Sequence, residues 1–445
     1  MSTPPKVLLV TSELFPAFGY PTAGGGVRAQ QLHDYLKSLG FQIDLALARS
    51  SAEGRNLPDW ATRFLYRVEY LDGLIEQADP DLVLTEGWEP LTHLRFDDQR
   101  LYAADCPGPL LLEARAGDRD DHRTLLFHKL RALARADAVL YSNAPMRFYL
   151  GGFLALAGWK PDQFDSLVEA PIALGPNPPA RKAPGSGEFQ IFVGGVSWAW
   201  HDSSSWVLRL ADALEERGIG RILLYQGKHP NHPEAPGVFE PLDPRLLSHP
   251  RVQASPLVNW DALVETLRAT PLAIEWSPTH FEREVASTLR LVTCLWCGVP
   301  VIVRPHLAIA KEIQDAKAGW VLEDWESVVD LIDDLSRNPS EVEERSVAAR
   351  RLALQKHAWP NAHPSLGDLL ASLARREKEP SLLQHATDTF REQEEELHRL
   401  RIEHKAMVED LSALRERTRL AETDAESFRA LRQKLPYRIW KRILG

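Results

Sequence analysis

The stretch that most constrains the fold is residues 275–303 of the 445-residue chain. A short hydrophobic strand at residues 272–275 leads to an acidic loop, an amphipathic segment that ends at Gly298, and a β-branched run at residues 301–303. This order favours half of a parallel α/β sheet, in which ligands lie beyond the carboxyl ends of the strands. The loop at residues 277–284 is therefore expected to contact a ligand. Its glutamates are also common at helix starts simply because they suit the helix dipole, and that alternative stays open.

The beginning of the chain repeats the strand, loop and helix order. An apolar run at residues 6–12 predicts a buried strand, a glycine-rich loop follows, and leucine spacing predicts a helix at residues 27–39. Gly25 and Gly26 would let the backbone approach a phosphate at the helix N-terminus, with Arg28 as a charge partner. A flexible turn is the alternative reading of these glycines. The spacing is not that of a dinucleotide-binding loop, so NAD is not predicted.

A second strand and glycine loop open the second half of the chain. Proline and glycine crowd residues 175–187, which we interpret as an interdomain linker. A strand at residues 189–193 then runs into Gly194 and Gly195, directly before a predicted helix at residues 203–217. These two glycines repeat the arrangement that cradles phosphate at a helix N-terminus.

Polar and aromatic residues after the strands of the second half suggest a donor site. Trp198 and Trp200 could form a flat wall for a base or a sugar, or could fill a core. Lys228 can hold a phosphate as a point charge, and His229 and Asn231 offer hydrogen bonds beside it.

Strand ends in the first half carry the candidate acceptor residues. Glu86 and Glu113 end or follow two short apolar strands, and Arg115 comes next along the chain. Asn143 follows a third strand. Such positions suit acceptor binding or acid–base chemistry, although solvated loops, or a turn-forming asparagine, would look the same.

Composition excludes several classes of function. The formal net charge of -10 argues against general nucleic-acid binding, because no basic stripe dominates the chain. Cys294 and Cys297 lie in an apolar helical pattern, which favours buried packing over zinc or redox chemistry. We expect no export signal and no membrane-spanning segment, and hence a cytoplasmic protein.

The motifs at residues 281–303, 194–202 and 227–231 resemble the nucleotide-binding half of bacterial GT-B glycosyltransferases. The resemblance is to family 4-type enzymes of surface-polysaccharide gene clusters, and it spans residues 6–335. It implies an α/β fold of two Rossmann-like domains that face a cleft. It also implies transfer of a sugar from a nucleotide-diphosphate sugar to a lipid-linked or growing cell-surface glycan of the O-antigen or capsule type. The reaction would be retaining and would need neither a metal nor a cofactor.

The same resemblance makes Glu282, Glu284 and Arg290 the catalytic candidates. Family 4 enzymes carry two glutamates eight positions apart, and those positions are Val285 and Thr293 here. Glu282 and Glu284 are then the candidates for the first role, with Arg290 beside the phosphates and paired to phosphate or to Glu284. Two other hypotheses stay open: a catalytically silent adaptor that organises a polysaccharide assembly, and a phosphorylase of the same fold.

The sequence predicts five segments. They are an acceptor domain at residues 1–178, a nucleotide-sugar-binding domain at 188–345, a helix at 346–376 that returns to the first domain, a coiled coil at 380–434, and a basic amphipathic tail at 435–445. The heptad pattern indicates a homo-oligomer or a partner protein, and a long solvated helix is the alternative. The tail suits weak contact with the cytoplasmic membrane surface.

Overall fold

The computed structural model describes residues 5–95, 100–117, 121–182, 188–201, 203–231, 239, 242–375 and 382–434. In the last range, side chains are described at most positions from 396 onward. The chain forms two compact units, residues 1–381 and residues 382–445.

The first half of the larger unit is built on a sheet in which seven strands are described. All are parallel, in the order β3-β2-β1-β4-β5-β6-β7. The strands are nearly continuous apolar runs because helices cover both faces of a parallel sheet. The strands are Lys6–Thr11 (β1), Gln42–Ala48 (β2), Phe64–Tyr66 (β3), Leu82–Glu86 (β4), Leu101–Cys106 (β5), Ala138–Tyr141 (β6) and Leu167–Glu169 (β7).

Helices alternate with these strands, as right-handed crossovers between parallel strands require. Short 3-10 turns occur at Pro16–Phe18, Val68–Tyr70 and Pro161–Ser166. The α-helices are Gly24–Ser38 (α1), Arg49–Ala52 (α2), Asp59–Thr62 (α3), Leu71–Ala78 (α4), Glu89–His93 (α5), Leu110–Ala116 (α6), His122–Arg135 (α7) and Ala144–Leu156 (α8).

A second parallel sheet follows, with six described strands in the order β10-β9-β8-β11-β12-β13. The chain reverses direction across the sheet between β8 and β11, which is where α/β sheets of this type bind ligands. The strands are Gln190–Val196 (β8), Arg221–Gly227 (β9), Val252–Ser255 (β10), Leu272–Glu275 (β11), Val301–Val303 (β12) and Gly319–Val321 (β13).

The helices of the second lobe pack on both faces of this sheet and bury two apolar clusters. A 3-10 turn at Ala199–His201 follows β8. The α-helices are Ser203–Arg217 (α9), Pro244–Ser248 (α10), Trp260–Leu267 (α11), Phe281–Val285 (α12), Leu289–Trp296 (α13), Ala310–Ala316 (α14), Trp325–Arg337 (α15) and Pro339–Lys356 (α16). Two parallel sheets flanked by helices confirm the predicted architecture of two Rossmann-like lobes.

The chain returns to the first lobe after α16. Leu366 and Leu370, on the short helix Leu366–Ala371 (α17), are buried in the core of the first lobe together with Trp359. The two crossings between the lobes lie side by side, since the Leu174 N–H donates to the carbonyl of His357 and the Trp359 N–H donates to the carbonyl of Leu174. The two crossings are therefore held to each other by backbone hydrogen bonds.

The smaller unit is the helix Leu382–Lys434 (α18), which has 53 residues. It covers the predicted coiled coil, whose self-association stays a prediction. The predicted basic tail, residues 435–445, lies outside the described residues. In the described part of the chain, no helix is both long enough and apolar enough to cross a bilayer. Cys106, Cys294 and Cys297 are buried free thiols.

Candidate active site between the two lobes

The carboxyl ends of the two sheets face each other across a cleft, and several contacts cross it. The Asn231 side chain after β9 donates from Nδ2 to Glu13 Oε2 over 2.7 Å. Asn143, after β6, donates from Nδ2 to the Val285 carbonyl over 3.0 Å and to Ser287 Oγ over 2.7 Å. The loops predicted to form a donor site and those predicted to form an acceptor site are therefore neighbours.

Two carboxyl groups lie against the first turn of α1. A Cβ at Gly25 would be 2.4 Å from Glu86 Oε1 and 3.0 Å from Glu13 Cγ, so only glycine admits both side chains. Gly26 is needed for another reason, because its Cβ would be 2.1 Å from the carbonyl oxygen of Leu14. The glycine loop thus packs closely on its own lobe, and its helix N-terminus opens toward the second lobe, where Leu289 begins α13.

Burial and crowding raise the pKa values of both acids. Burial raises the pKa of Glu13 to about 7, although the hydrogen bond from Asn231 and the charge of Arg55 oppose the shift. Burial also holds the pKa of Glu86 well above its usual range, reinforced by Glu13, Glu89 and Asp105. Thr11 Oγ1 donates to Glu86 Oε2 over 3.2 Å. A carboxyl group that keeps its proton can donate a hydrogen bond as well as accept one.

Arg28 does not reach the cleft, which contradicts its predicted role at a phosphate. Its side chain is 2% exposed and forms two 2.9 Å contacts with the Asp105 carboxylate. Its remaining donors go to the carbonyls of Ala170 and Pro171 over 2.7 and 2.5 Å. With every guanidinium nitrogen engaged, Arg28 joins α1 to the strand ends of its own lobe instead of binding a ligand.

In the second lobe, Arg290 occupies the space above Gly195. A Cβ on Gly195 would lie 2.7 Å from Arg290 Nε, and the residue has a φ of +127°. Both facts require glycine at this position. Arg290 Nη1 lies 2.7 Å from Glu275 Oε2, at the end of β11. The predicted partner Glu284 is therefore wrong: the carboxylate beside Arg290 is Glu275, and the Glu284 side chain is exposed.

Gly194 must be glycine for a different reason, since a Cβ there would be 2.4 Å from the Phe192 ring. The glycine pair after β8 thus divides its roles. Gly194 fits a core aromatic ring, and Gly195 makes room for a cation at the mouth of the cleft.

Glu282 is 2% exposed and forms a bidentate ion pair with its neighbour Arg283, with nitrogen–oxygen distances of 2.6 and 2.5 Å. Helix α12, which carries both residues, packs against α6 and α8 of the first lobe. Glu113 lies on α6, and burial, together with the charge of Glu282, raises its pKa to about 7, with Arg283 opposing the shift. The structure therefore brings Glu282 and Glu113 together across the cleft, whereas Arg115 is exposed at the end of α6.

The two tryptophans after β8 stack on each other, with ring centroids 5.0 Å apart and an interplanar angle of 20°. Trp198 also stacks on Phe239, and Trp200 lies against Gly117 of the first lobe. They form a half-buried aromatic wall that spans the cleft, so core packing and ligand contact are both compatible with their position.

Lys228, His229 and Asn231 follow β9 and have three different surroundings. Lys228 is exposed and lines a cavity of about 330 Å³, together with Tyr20 and Arg55 of the first lobe. His229 is buried, with Nε2 3.4 Å from Glu13 Oε1.

A second cavity of about 360 Å³ lies beside the connection between the lobes and is lined by residues that include Asn143, Ser287, Glu312 and His357.

Buried polar atoms with no hydrogen-bond partner among the described residues cluster at the strand ends of the second lobe. Seven such atoms lie at the end of β9 or in the loops after β8, β9, β11 and β12, where a ligand could pair with them. They are Trp200 Nε1, His201 Nε2, Gln226 Oε1, Asn231 Oδ1, Ser277 Oγ, Arg304 Nε and His306 Nε2. Burial, with Arg283, Arg290 and His280 nearby, holds the pKa of His201 well below its usual range, so the imidazole is neutral.

Sequence reasoning did not single out Arg304 or His306 as site residues, and it placed His201 and Ser277 only within the motif at 194–202 and the ligand loop at 277–284. One signal was available: each follows a predicted strand of the second half within a few residues. The sequence could not show which polar atoms of these side chains are buried without a hydrogen-bond partner. In the described residues there is no group of three or more His, Cys, Asp or Glu side chains arranged to hold a metal ion.

Two Rossmann-like lobes with facing strand ends and a helix that returns to the first lobe define the GT-B fold. No protein-family model and no curated protein matches this sequence. Solved structures do match it. Sucrose-phosphate synthase from Thermosynechococcus elongatus is 14% identical, covering 82% of this chain and 98% of that protein, with a TM-score of 0.61. HepE from Anabaena, in complex with UDP-glucose, is 14% identical and covers 83% of this chain and 100% of that one, with a TM-score of 0.56.

A third match is WaaG, a glycosyltransferase involved in lipopolysaccharide biosynthesis. It is 13% identical, covers 82% of this chain and 98% of that protein, and has a TM-score of 0.54. At these identities the likeness establishes the GT-B fold, and the activity must be argued from the site.

Proposed function

We propose that this protein is a glycosyltransferase that transfers a sugar from a nucleotide-diphosphate sugar to a hydroxyl group of an acceptor glycan. The observation that carries the proposal is the cluster of buried, unpartnered polar atoms at the strand ends of the second lobe, facing a helix N-terminus of the first lobe. Burying such atoms without partners costs about 1–3 kcal/mol each, so a polar ligand would stabilise this edge. The solved relatives in complex with UDP-glucose support a ligand of that class for this chain.

The proposed donor site lies mainly on the second lobe. Arg290 and Lys228 supply positive charge, and the N-termini of α1 and α13 supply backbone amides, where negative charge develops as the diphosphate leaves. The cavity beside Lys228 is large enough for part of a nucleoside. Arg28 is not part of this set.

The proposed acceptor site lies on the first lobe. In the reaction, the bond between the sugar carbon and the diphosphate oxygen breaks, a bond to the acceptor oxygen forms, and the hydroxyl proton must leave. Glu113, with a pKa raised to about 7, is suited to exchange a proton near neutral pH. We propose Glu282 as the acid that orients the sugar opposite Glu113.

We further propose that the acceptor is a lipid-linked or cell-surface glycan and that the reaction is retaining and needs no metal. The likeness to WaaG supports the class of acceptor, and the motif resemblance supports the mechanism. Transfer that persists in EDTA, with the product anomer assigned by NMR, would support both parts of the mechanism.

A silent adaptor is a second candidate, and one observation favours it. The positions that carry the two family glutamates are both buried, and the Thr293 hydroxyl donates to the carbonyl of Leu289 in its own helix, over 2.9 Å. Neither Val285 nor Thr293 offers a carboxylate to a nucleotide.

The test is a panel of UDP-, GDP- and dTDP-sugars measured by thermal shift and by calorimetry. We expect one nucleotide class to raise the melting temperature and to be released as free nucleoside diphosphate when acceptor glycans are added. If no member of the panel binds, the adaptor is favoured. Consumption of inorganic phosphate and glycan, with formation of a sugar 1-phosphate and no release of nucleotide, would indicate a phosphorylase.

A further inference from the structure

Helix α18 presents an apolar seam that no described residue of its own unit covers. Its described residues between 396 and 434 are all exposed, including large apolar side chains. In a heptad lettered a to g, the side chains that repeat at positions a and d are Leu397, Leu400, His404, Met407, Leu411, Leu414, Thr418, Ala421, Ala425 and Phe428. A seam with this period of 3.5 residues is typical of a helix that pairs with another helix along its length.

The charges that flank the seam select the partner and its direction. In a parallel, in-register pair of identical helices, each g side chain meets the e side chain five residues later on the other helix. Three of these pairs are attractive: Glu396 with Arg401, Arg417 with Glu422, and Asp424 with Arg429. Among the described residues the remaining pair, Glu403 with Val408, is neutral. No like-charge pair occurs between these described side chains.

An antiparallel pair would lose this complementarity. There, g positions face g positions and e positions face e positions. The described g residues are three acids (Glu396, Glu403, Asp424) and one cation (Arg417), so acids would meet acids. The described e residues from 401 onward contain three arginines, Arg401, Arg415 and Arg429, so cations would also meet. Like charges at these positions are destabilising.

Two polar residues interrupt the seam at a positions. His404 and Thr418 face their own counterparts only when the two chains are parallel and in register. A slip by one heptad would place a leucine opposite a polar side chain at these layers, which buries a polar group without a partner. Polar a positions therefore fix the register at some cost in stability.

We infer that α18 pairs with α18 of a second copy of this chain as a parallel, in-register two-stranded coiled coil. At about 1.5 Å per residue, the 53-residue helix makes a rod of roughly 80 Å. Because the larger unit precedes the helix in both chains, both larger units are attached to the same end of that rod. Under the proposed function, two copies joined in this way would bind a repetitive acceptor with a raised effective concentration. The inference does not depend on the proposed function.

Disulfide cross-linking of the full chain tests direction and register together. His404→Cys and Ala425→Cys each place a thiol at an a position, 21 residues apart along the helix. In a parallel, in-register pair both variants cross-link into covalent dimers under mild oxidation. In an antiparallel pair at most one of them can do so, and that result would overturn the inference. His398→Cys, at an outward b position, is the matched control, and the three natural cysteines are buried.

Light scattering tests the dimer itself. We expect a mass near twice 50.1 kDa for the full chain at micromolar concentration. A double substitution of Leu411→Glu and Leu414→Glu should give a monomer, whereas Thr423→Glu, on the outward face, should stay a dimer. The thermal transition of the larger unit should be the same in all three proteins, which shows that it is folded. A monomeric unsubstituted chain, or a dimer that survives the double substitution, would refute the pairing.

Discussion

The two lobes hold buried acids in opposite ways at the edges that face each other. In the second lobe, each buried acid of the cleft lies beside an arginine: Glu282 with Arg283, and Glu275 with Arg290. In the first lobe, Asp105 also pairs with an arginine, Arg28, but Glu13 and Glu86 lie beside each other and have raised pKa values. The difference follows from the surroundings of each acid, because burial favours the neutral form of Glu13 and Glu86, and neighbouring carboxyl groups add to the shift at Glu86.

This contrast assigns different chemistry to the two edges. Arginine–acid pairs keep cations in fixed positions at neutral pH, which suits an anionic diphosphate. Carboxyl groups that titrate near neutral pH suit hydroxyl groups, to which they donate or from which they accept a proton. The donor is thus expected at the second lobe and the acceptor at the first. The following predictions would break or sharpen that division, from the largest expected effect to the smallest.

Removal of a paired acid from the second lobe should have the largest effect. Glu282→Ala leaves the buried Arg283 guanidinium without its carboxylate, and breaking a buried pair in this way costs about 3–5 kcal/mol of unfolding free energy. Glu284→Ala changes an exposed side chain and should alter stability by no more than about 0.5 kcal/mol. Urea denaturation measures both. Equal stability of the two variants would mean that Glu282 is not held as the structure shows.

Removal of the cleft cation should weaken donor binding, and it also leaves the buried Glu275 carboxylate without its arginine. Arg290→Met deletes charge-assisted hydrogen bonds worth about 1.5–3 kcal/mol, so we expect the nucleotide-diphosphate Kd to rise roughly 10- to 150-fold. Arg245→Met is the control: it removes an exposed arginine that pairs with its near neighbour Asp243, and it should leave the Kd unchanged. Calorimetry with the nucleotide class found in the panel measures both. An unchanged Kd in Arg290→Met would mean that Arg290 does not bind the diphosphate, which contradicts a donor site on the second lobe.

The acids of the first lobe should make stability depend on pH. The pKa of Glu13 is raised in the folded protein, from 4.5 to about 7, so the folded state binds its proton more tightly than the unfolded chain does. This contribution to stability is complete below about pH 4.5 and is lost as the pH rises to about 7. Glu13→Gln should remove roughly 1–3 kcal/mol of that pH dependence.

Denaturation curves between pH 5 and pH 8 measure this effect. The gain of Glu13→Gln over the unsubstituted chain should be largest at pH 8, and Glu284→Gln should show no such gain. If Glu13→Gln is less stable at pH 8 than at pH 5 by the same amount as the unsubstituted chain, Glu13 does not carry the proton.

A methyl group added at Gly195, next to the Arg290 side chain, should give the smallest effect. Gly195→Ala places a methyl group 2.7 Å from Arg290 Nε and strains a residue with a φ of +127°. We expect about a tenfold rise in the donor Kd and a loss of about 1 kcal/mol of stability. Gly218→Ala, with a φ of +66° and open space around the new methyl group, separates strain from crowding. If both variants bind the donor equally well, Gly195 does not position Arg290.

The sequence predicted the elements of the fold well, because apolar runs and helical spacing are local properties. The strand predicted at residues 6–12 is Lys6–Thr11, and the helix predicted at 203–217 is Ser203–Arg217. One predicted segment differs in detail, since the loop expected at residues 277–284 contains most of a short helix, Phe281–Val285, and the amphipathic segment after it forms a separate helix, Leu289–Trp296.

The partners of the site residues could not be predicted in the same way. Arg28 pairs with a carboxylate 77 positions away, and Arg290 selects Glu275 over the nearer Glu284. Asn143 is fixed between the lobes by contacts more than 140 positions away in the chain. Such pairings depend on how the lobes meet, which local pattern does not encode. The sequence predicted which residue types form the site. It did not predict which of their side chains pair with other protein groups and which are left to bind a ligand.

The return of the chain after α16 has a practical consequence for protein engineering. Trp359, Leu366 and Leu370 follow the second lobe in the sequence, yet their side chains are part of the core of the first lobe. A chimaera joined only at the interdomain linker would combine the first-lobe sheet of one parent with the closing segment, residues 357–371, of the other parent. Functional exchange of the acceptor half therefore requires two junctions, so that the insert carries its own closing segment from residue 357 to residue 371.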